Sequence, residues 1–287
     1  MSSMDSSSSE NKYVIDIEQA AETVRLIEQD RIFTLALGGL FPERPGLSNV
    51  QHLLDIACGP GAWALRVAFA YPDIEVIGVD INQTMIDYAI AQANVQKLQN
   101  IAFEVMNVRQ PLAFQDASFD LVNARLLVAF MDKAAWPVLL AECHRILRPG
   151  GIIRLTELET TITNSLAMQR LQTYLCQALA QQGRTFSADG CSFGITYMLR
   201  KLLTDAGFTE VQGRAFHLDG SFGTDLHPIG VKDAEMAYAL VKPYLIKTGI
   251  AEESEYDRIY IQMMNDILQE DFLGLTYGLT AWAVKPE

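Results

Sequence analysis

The sequence predicts an α/β fold built around a mostly parallel sheet, and three observations carry that expectation. From His52 onward, short apolar strands alternate with helical segments, a pattern that lays helices over both faces of parallel strands. A buried-type strand runs into the glycine turn Ala57-Cys58-Gly59-Pro60-Gly61, and the next apolar strand ends in Asp80. The chain has 287 residues with 49% hydrophobic content, enough to bury a sizeable core.

Taken in order, residues 1–12 are Ser-rich without an apolar stretch and read as a disordered tail rather than a signal peptide. Ile17, Ala20, Ala21, Val24 and Ile27 recur at helical spacing, which predicts a helix over 16–31, and 35–49 reads as a Gly/Pro-rich connection. Together 13–49 form an N-terminal helical strap. Strands are expected at 52–57, 74–79, 101–105, 119–123 and 152–157. Helices are expected between them at 62–71, 84–98 and 136–147, the last with Leu139, Leu140, Cys143 and Ile146 along one face.

After residue 157 the pattern changes. A helix over 164–182 leads into a glycine-containing loop, a helix over 197–206 stops at Gly207, and a sixth strand follows at 209–217. Residues 219–228 are Gly-rich and polar, 232–247 and 253–272 are helical, and a seventh strand at 276–284 closes the chain. The last two strands are separated by far more chain than a hairpin needs. Segments near 164–194 and 226–272 therefore read as a lid on a domain spanning 50–287.

Composition excludes several function classes. The net charge is −13 with no long basic run, so nucleic acid and anionic membrane surfaces are disfavoured partners. No apolar run approaches the ~18 residues of a membrane span. Cys58, Cys143, Cys176 and Cys191 are widely spaced, with no C-x-x-C pair. That argues against a zinc site or a disulfide framework, and for a reducing, cytoplasmic compartment without a protein-bound metal.

The glycine turn carries the chemistry. Glycines let backbone approach a ligand without a Cβ clash, and a helix start offers open N–H groups to a polar or anionic group. Asp80 lies nineteen residues after Gly61, where an acid can accept hydrogen bonds from ribose hydroxyls. Gly59-Pro60-Gly61-Ala62-Trp63-Ala64 formally fits the G-x-G-x-x-A pattern of nicotinamide and flavin sites. Asp55, an acid inside the preceding strand, favours a ligand bearing an ammonium group instead.

Residues 53–61 resemble the first motif of class I S-adenosylmethionine (SAM)-dependent methyltransferases, with Ala57 standing where the first glycine of the family's triplet falls, followed by Gly59 and Gly61. Residues 76–80 resemble the ribose-binding strand, and 103–108 the third strand, with Asn107 in place of the usual Asp. Residues 118–126 resemble the fourth motif, and 147–153, with Arg148-Pro149-Gly150-Gly151, the turn before the fifth strand. The resemblance spans about 13–284. It implies a Rossmann-like class I methyltransferase fold with a seven-stranded, mostly parallel sheet and helical lid insertions, using SAM and releasing S-adenosylhomocysteine.

By residue, the resemblance implies that Asp55, Ala57, Gly59 and Gly61 form the cofactor turn, that Asp80 binds the ribose, and that Ile81 and Met85 pack on the adenine. Asn107 and the Val108 N–H would meet the adenine's polar edge, with Asn123 and Arg125 beside the cofactor. Tyr13 on the strap would approach the pocket, and Arg31 would pair with the cofactor carboxylate. The strap and lid resemble those of bacterial natural-product methyltransferases.

Ligands of open α/β sheets bind at the carboxyl ends of the strands. Glu157, ending the fifth strand, is the first candidate for a base or acceptor-orienting carboxylate. His217, ending the sixth, shares alternation parity with Val211 and Ala215 and reads equally as structural. His227, in a Gly/Pro-containing loop beside the lid, is a candidate acceptor contact. Phe130, Met131, Phe193, Tyr197, Phe222 and Tyr238 are among the lid residues available to line an apolar pocket. The expected activity is methyl transfer to a small, fairly apolar organic acceptor such as a secondary metabolite, with the acceptor atom open among C, O and N and a homo-oligomer compatible. The alternatives are a nicotinamide-dependent oxidoreductase and a non-catalytic SAM-binding protein.

Overall fold

The computed structural model describes residues 20–43 and 47–287. The tail over 1–12 and Tyr13 lie outside the described residues. Seven strands form one sheet in the order β3-β2-β1-β4-β5-β7-β6. They are β1 (His52–Ile56), β2 (Glu75–Asp80), β3 (Ile101–Val105), β4 (Phe119–Arg125), β5 (Leu147–Thr163), β6 (Thr209–Asp219) and β7 (Gly274–Val284). The first five are parallel, and β7 runs antiparallel between β5 and β6. The chain reverses its lateral direction after β3, crossing from one edge to β4 beside β1. That crossover opens a crevice at the carboxyl ends of β1 and β4.

Alternation within the strands explains why both faces are covered. Leu54, Ile56, Val122 and Ile153 pack beneath α4 (Ala135–Ile146) and α6 (Leu199–Asp205). Leu53, Val76 and Leu121 pack on the opposite face beneath α2 (Ala62–Ala70) and α3 (Gln83–Gln96). Strands buried on two sides are continuously apolar, so the charged Asp55 stands out.

A third cluster is separate from the sheet. Leu171, Tyr238, Val241, Leu245, Tyr256 and Met263 are among the side chains that join α5 (Leu166–Gln181), α7 (His227–Lys247) and α8 (Glu253–Ile267) into a cap with its own core. The strap helix α1 (Ala20–Leu37) leans on that cap and on β6, placing Phe33 and Leu37 against Phe216.

Several elements depart from the sequence expectation, among them α8, which ends at Ile267 and not at 272. The strap helix continues to Leu37, past the expected connection at 35, because Phe33 and Leu37 are buried; Gly38 and Gly39, at φ 83° and 132°, end it. β5 extends to Thr163 because β7 goes on pairing with it beyond Glu157, through Thr161 and Ile162. α7 starts at His227, five residues before the expected Lys232, with Pro228 in its first turn, where the missing N–H costs nothing.

Candidate active site

β1 delivers the backbone into a turn in which Ala57, Gly59 and Gly61 all have positive φ, at 53°, 54° and 77°. Glycine adopts this region freely, whereas a residue with a Cβ does so at a cost of roughly 1–2 kcal/mol, so Ala57 keeps the family's backbone shape with some strain. Gly61 is needed for packing. A Cβ there would stand 2.7 Å from the Phe103 ring and 2.8 Å from Ala89. Gly78 on β2, which sequence reading passed over, makes room for the same Phe103 ring at 2.6 Å.

The turn opens on a cavity of about 380 Å³. Of the sequence-derived cofactor residues, Asp55, Ala57, Gly59, Asp80, Ile81, Met85, Asn107, Val108 and Arg125 line it. Asp80 braces the turn, accepting hydrogen bonds from the Gly59 N–H at 2.9 Å and the Asn82 N–H at 2.9 Å. Asn82 in turn caps α3, its side-chain oxygen accepting from the Thr84 and Met85 amides. The Asn107 side-chain oxygen Oδ1 accepts from the Arg109 N–H at 3.0 Å, so the turn after β3 already engages the atom expected to meet an adenine.

Asp55 sits in a polar row crossing the sheet. Strand register pairs Asp55 with Asn123 and Asn123 with Arg154. The Asn123 amide donates to Asp55 Oδ1 at 2.7 Å, and Arg154 donates to the Asn123 carbonyl at 2.8 Å. Asn123 is fully buried and does not line the cavity. This corrects its expected ligand role: it holds Asp55. The other carboxylate oxygen, Asp55 Oδ2, is buried with no hydrogen-bond partner. Burial pushes the Asp55 pKa up to about 6, partly opposed by Arg125 and the Asn123 hydrogen bond. Asp55 as a residue borders the cavity, and a buried acid with an orphaned acceptor there suits a cationic ligand group.

Arg125 reaches Asp30 on α1, with Nη2 to Oδ1 at 2.7 Å, and lies 5.3 Å over the Trp63 ring. Arg66 on α2 grips the other Asp30 oxygen. Arg31, the strap residue expected here, points away instead; its side chain is 61% exposed beside Glu28. The helical phase of α1 directs Arg25, Leu26, Gln29, Asp30 and Phe33 to the cavity. Arg25 is paired with Glu22 and with Asp233 of α7 at 2.9 Å, joining strap to cap.

The structure does not bring the three expected catalytic residues together. Glu157 is fully buried and lines neither this cavity nor the second one, beneath the cap. Its carboxylate accepts from the Leu127 N–H at 2.7 Å and the Val128 N–H at 3.4 Å, capping a short 3₁₀ turn. Burial raises its pKa to about 8 despite those bonds. Its neighbour Leu158 faces the cavity instead. His217 lies exposed on β6, because the strap buries the adjacent Phe216. His227 opens α7, its Nε2–H donates to the Ile267 carbonyl oxygen at 2.7 Å, and its ring meets Phe222 edge-on. It lines the second cavity. Of the lid residues expected to line a pocket, Phe130 and Phe193 do so at the first cavity and Tyr238 at the second, whereas Met131 is core and Tyr197 and Phe222 are exposed.

No group of three or more potential metal ligands occurs among the described residues, and none of their helices is long and apolar enough to cross a membrane.

A parallel sheet with a terminal antiparallel strand, a glycine turn at its crossover and acids at the ends of β1 and β2 define the methyltransferase class of α/β enzymes. Residues 53–151 match the family model described as a methyltransferase domain. The chain is 26% identical over 243 residues to trans-aconitate 2-methyltransferase of Deinococcus radiodurans, covering 83% of this chain and 84% of that one. It is 29% identical over 219 residues to the ubiquinone/menaquinone biosynthesis C-methyltransferase UbiE of Desulfotalea psychrophila, covering 72% and 82%. Among solved structures, phosphoethanolamine N-methyltransferase 2 of Haemonchus contortus, in complex with SAM, shares the fold at TM-score 0.56 and 17% identity. It covers 94% of this chain, which spans 59% of that longer one. The chain is thus similar to methyltransferases over most of its length, and residues 53–151 match their domain.

Proposed function

We propose that this enzyme methylates a small, fairly apolar organic molecule, by aligning it rather than by deprotonating it. Asp55 Oδ2 would meet the SAM ammonium, the braced Asp80 the ribose hydroxyls, and Ile81, Met85 and Val108 the adenine. Asn107 would contribute through its remaining polar edge, and Arg125 would face the amino-acid end. The orphaned Asp55 oxygen at the turn is the feature that fits this group. When bound, SAM supplies an electrophilic sulfonium methyl for in-line displacement.

The observation that carries the reading is the contrast between two sides of the first cavity. Phe33, Leu126, Val128, Phe130, Leu158 and Phe193 make an apolar side that excludes water and orients an acceptor. The arginines that line the cavity are engaged with partners: Arg25 with Glu22 and Asp233, Arg125 with Asp30, Arg109 with Asp132. Cys58 is held as a neutral thiol, burial pushing its pKa well up. Positioning and desolvation by such a wall can lower a barrier by up to roughly 7–11 kcal/mol. An acceptor that needs no protein base fits it best. The relatives' acceptors are likewise small organic molecules by name.

A cytoplasmic setting accords with four free cysteines, and a secondary metabolite accords with the roomy cap. The test is single-turnover assay with methyl-labelled SAM against a panel of apolar phenols, enolisable ketones and amines. Label transfer to at least one member, with stoichiometric S-adenosylhomocysteine, is expected. SAM failing to bind the pure protein would overturn the reading.

A further inference from the structure

A second cavity of about 270 Å³ lies between the sheet and the cap. It adjoins the first: Gln29, Phe33, Leu158, Leu175, Phe193, Asp233 and Ala237 line both. Binding sites for drug-sized molecules occupy roughly 300–1,000 Å³. A nucleoside joined to an amino acid is of that size, so the cofactor alone takes most of the first cavity. An acceptor beside it must extend elsewhere, and the adjoining space is this one.

The second lining sets the chemistry of what enters. Ile32, Met168, Val231, Val241, Ile267 and Phe272 make it apolar on most sides. Among the described residues no lysine or arginine lines it, whereas Glu159 and Asp233 do. Glu159 is satisfied by the Gly194 and Thr196 amides and the Thr196 hydroxyl, and Asp233 by Arg25. An anionic tail would therefore be desolvated beside Glu159, with no lysine or arginine in the lining to pair with it. The Tyr238 hydroxyl has no hydrogen-bond partner among the described residues, although Tyr238 is only 8% exposed. It can donate to one carbonyl, ether or hydroxyl oxygen of a ligand.

We infer that the second cavity is a distal subsite for the acceptor, taking an uncharged, elongated hydrocarbon portion that carries at most a few oxygens, with Phe193 and Leu158 forming the passage between reacting end and tail. The inference rests on the methyltransferase reading above for what occupies the first cavity, and on the second lining alone for what occupies the second. Gly230 lines the subsite. It lies on α7 at the cavity wall, and a Cβ there meets no atom within 4 Å, so Gly230→Leu would fill space without a clash.

Straight-chain primary alcohols from butanol to decanol serve as probes, titrated calorimetrically into the protein with and without saturating S-adenosylhomocysteine. Wild type should bind about fourfold more tightly per added methylene, until the cavity is full. Gly230→Leu should stop gaining at a shorter chain while keeping its melting temperature and its S-adenosylhomocysteine affinity. Tyr238→Phe should weaken alcohols of every length by a similar factor. Affinity independent of chain length in wild type, or decanol binding unchanged in Gly230→Leu, overturns the subsite. If S-adenosylhomocysteine binds and the alcohols show no length dependence, the subsite alone falls. If length dependence and its Gly230→Leu truncation appear without S-adenosylhomocysteine binding, the subsite stands and the cofactor reading falls.

Discussion

The two halves of this molecule solve opposite problems. At the carboxyl edge of β1, β2 and β4, polar groups are fixed one by one: Asp80 by the Gly59 and Asn82 amides, Asp55 by Asn123, and Asn123 by Arg154. Under the cap, α5, α7 and α8 supply apolar surface with few directional contacts. A cofactor of constant structure rewards fixed donors and acceptors, whereas an acceptor that differs among relatives rewards a wall that can be repacked. Two buried carboxylates sharpen the contrast. Both have raised pKa values, about 6 for Asp55 and about 8 for Glu157. Asp55 leaves one oxygen without a partner at the cavity, while Glu157 spends its carboxylate on backbone amides.

The largest effect should come from breaking the turn. Gly61→Val forces a β-branched residue to φ 77° and drives it into Phe103 and Ala89. Overpacking and left-handed strain together should cost about 3 kcal/mol, read as a fall in denaturant midpoint, with loss of SAM binding. Asn123→Ala strips Asp55 and Arg154 of their shared partner and should cost about 1–3 kcal/mol. Denaturation with and without S-adenosylhomocysteine separates the loss of stability from the loss of affinity.

Glu157→Gln separates the two carboxylates. A base would lose about 10²–10⁴-fold in rate, whereas a buried cap should leave kcat within about twofold. Because the Glu157 pKa is raised on folding, native Glu157 binds its proton more tightly than the unfolded chain does. Wild-type stability should therefore decline as pH rises from the ordinary carboxylate range through about 8. The neutral amide of the variant should flatten that decline in a melting series across pH. The smallest effect belongs to His217→Ala, on an exposed stretch of β6. It should stay within about 0.5 kcal/mol of wild type and leave kcat/KM unchanged.

What the sequence disclosed follows the same division. The strand–turn–acid order and the strand boundaries are local patterns, so β3 falls where apolar alternation puts it, and nine of the expected cofactor residues line one cavity. Arg31 and Glu157 face away from the cavity for a shared reason. Neighbouring residues on a helix or strand face different ways, and only packing against distant elements fixes which face turns inward. Asp30 is selected by Arg66 and Arg125, and Glu157 by amides thirty residues earlier in the chain. Asn123 sits behind Asp55 rather than on the cavity, since its place depends on register with Asp55 and Arg154. Gly78 and Gly230 gave no signal because a glycine's purpose lies in the side chain opposite it. The second cavity exists only where cap and sheet meet.

The central claim is that Asp55 meets the cationic end of the cofactor at the glycine turn. A positive charge beside its unpartnered oxygen favours the carboxylate and lowers its pKa. Near pH 6, where burial holds the Asp55 carboxyl partly protonated, binding must release protons. Calorimetric titration of S-adenosylhomocysteine at that pH, in buffers of different ionisation enthalpy, measures this directly. The account predicts one site per chain, with proton release of a substantial fraction of one equivalent in wild type and release abolished in Asp55→Asn. No binding heat, or identical proton release in wild type and Asp55→Asn, would contradict it.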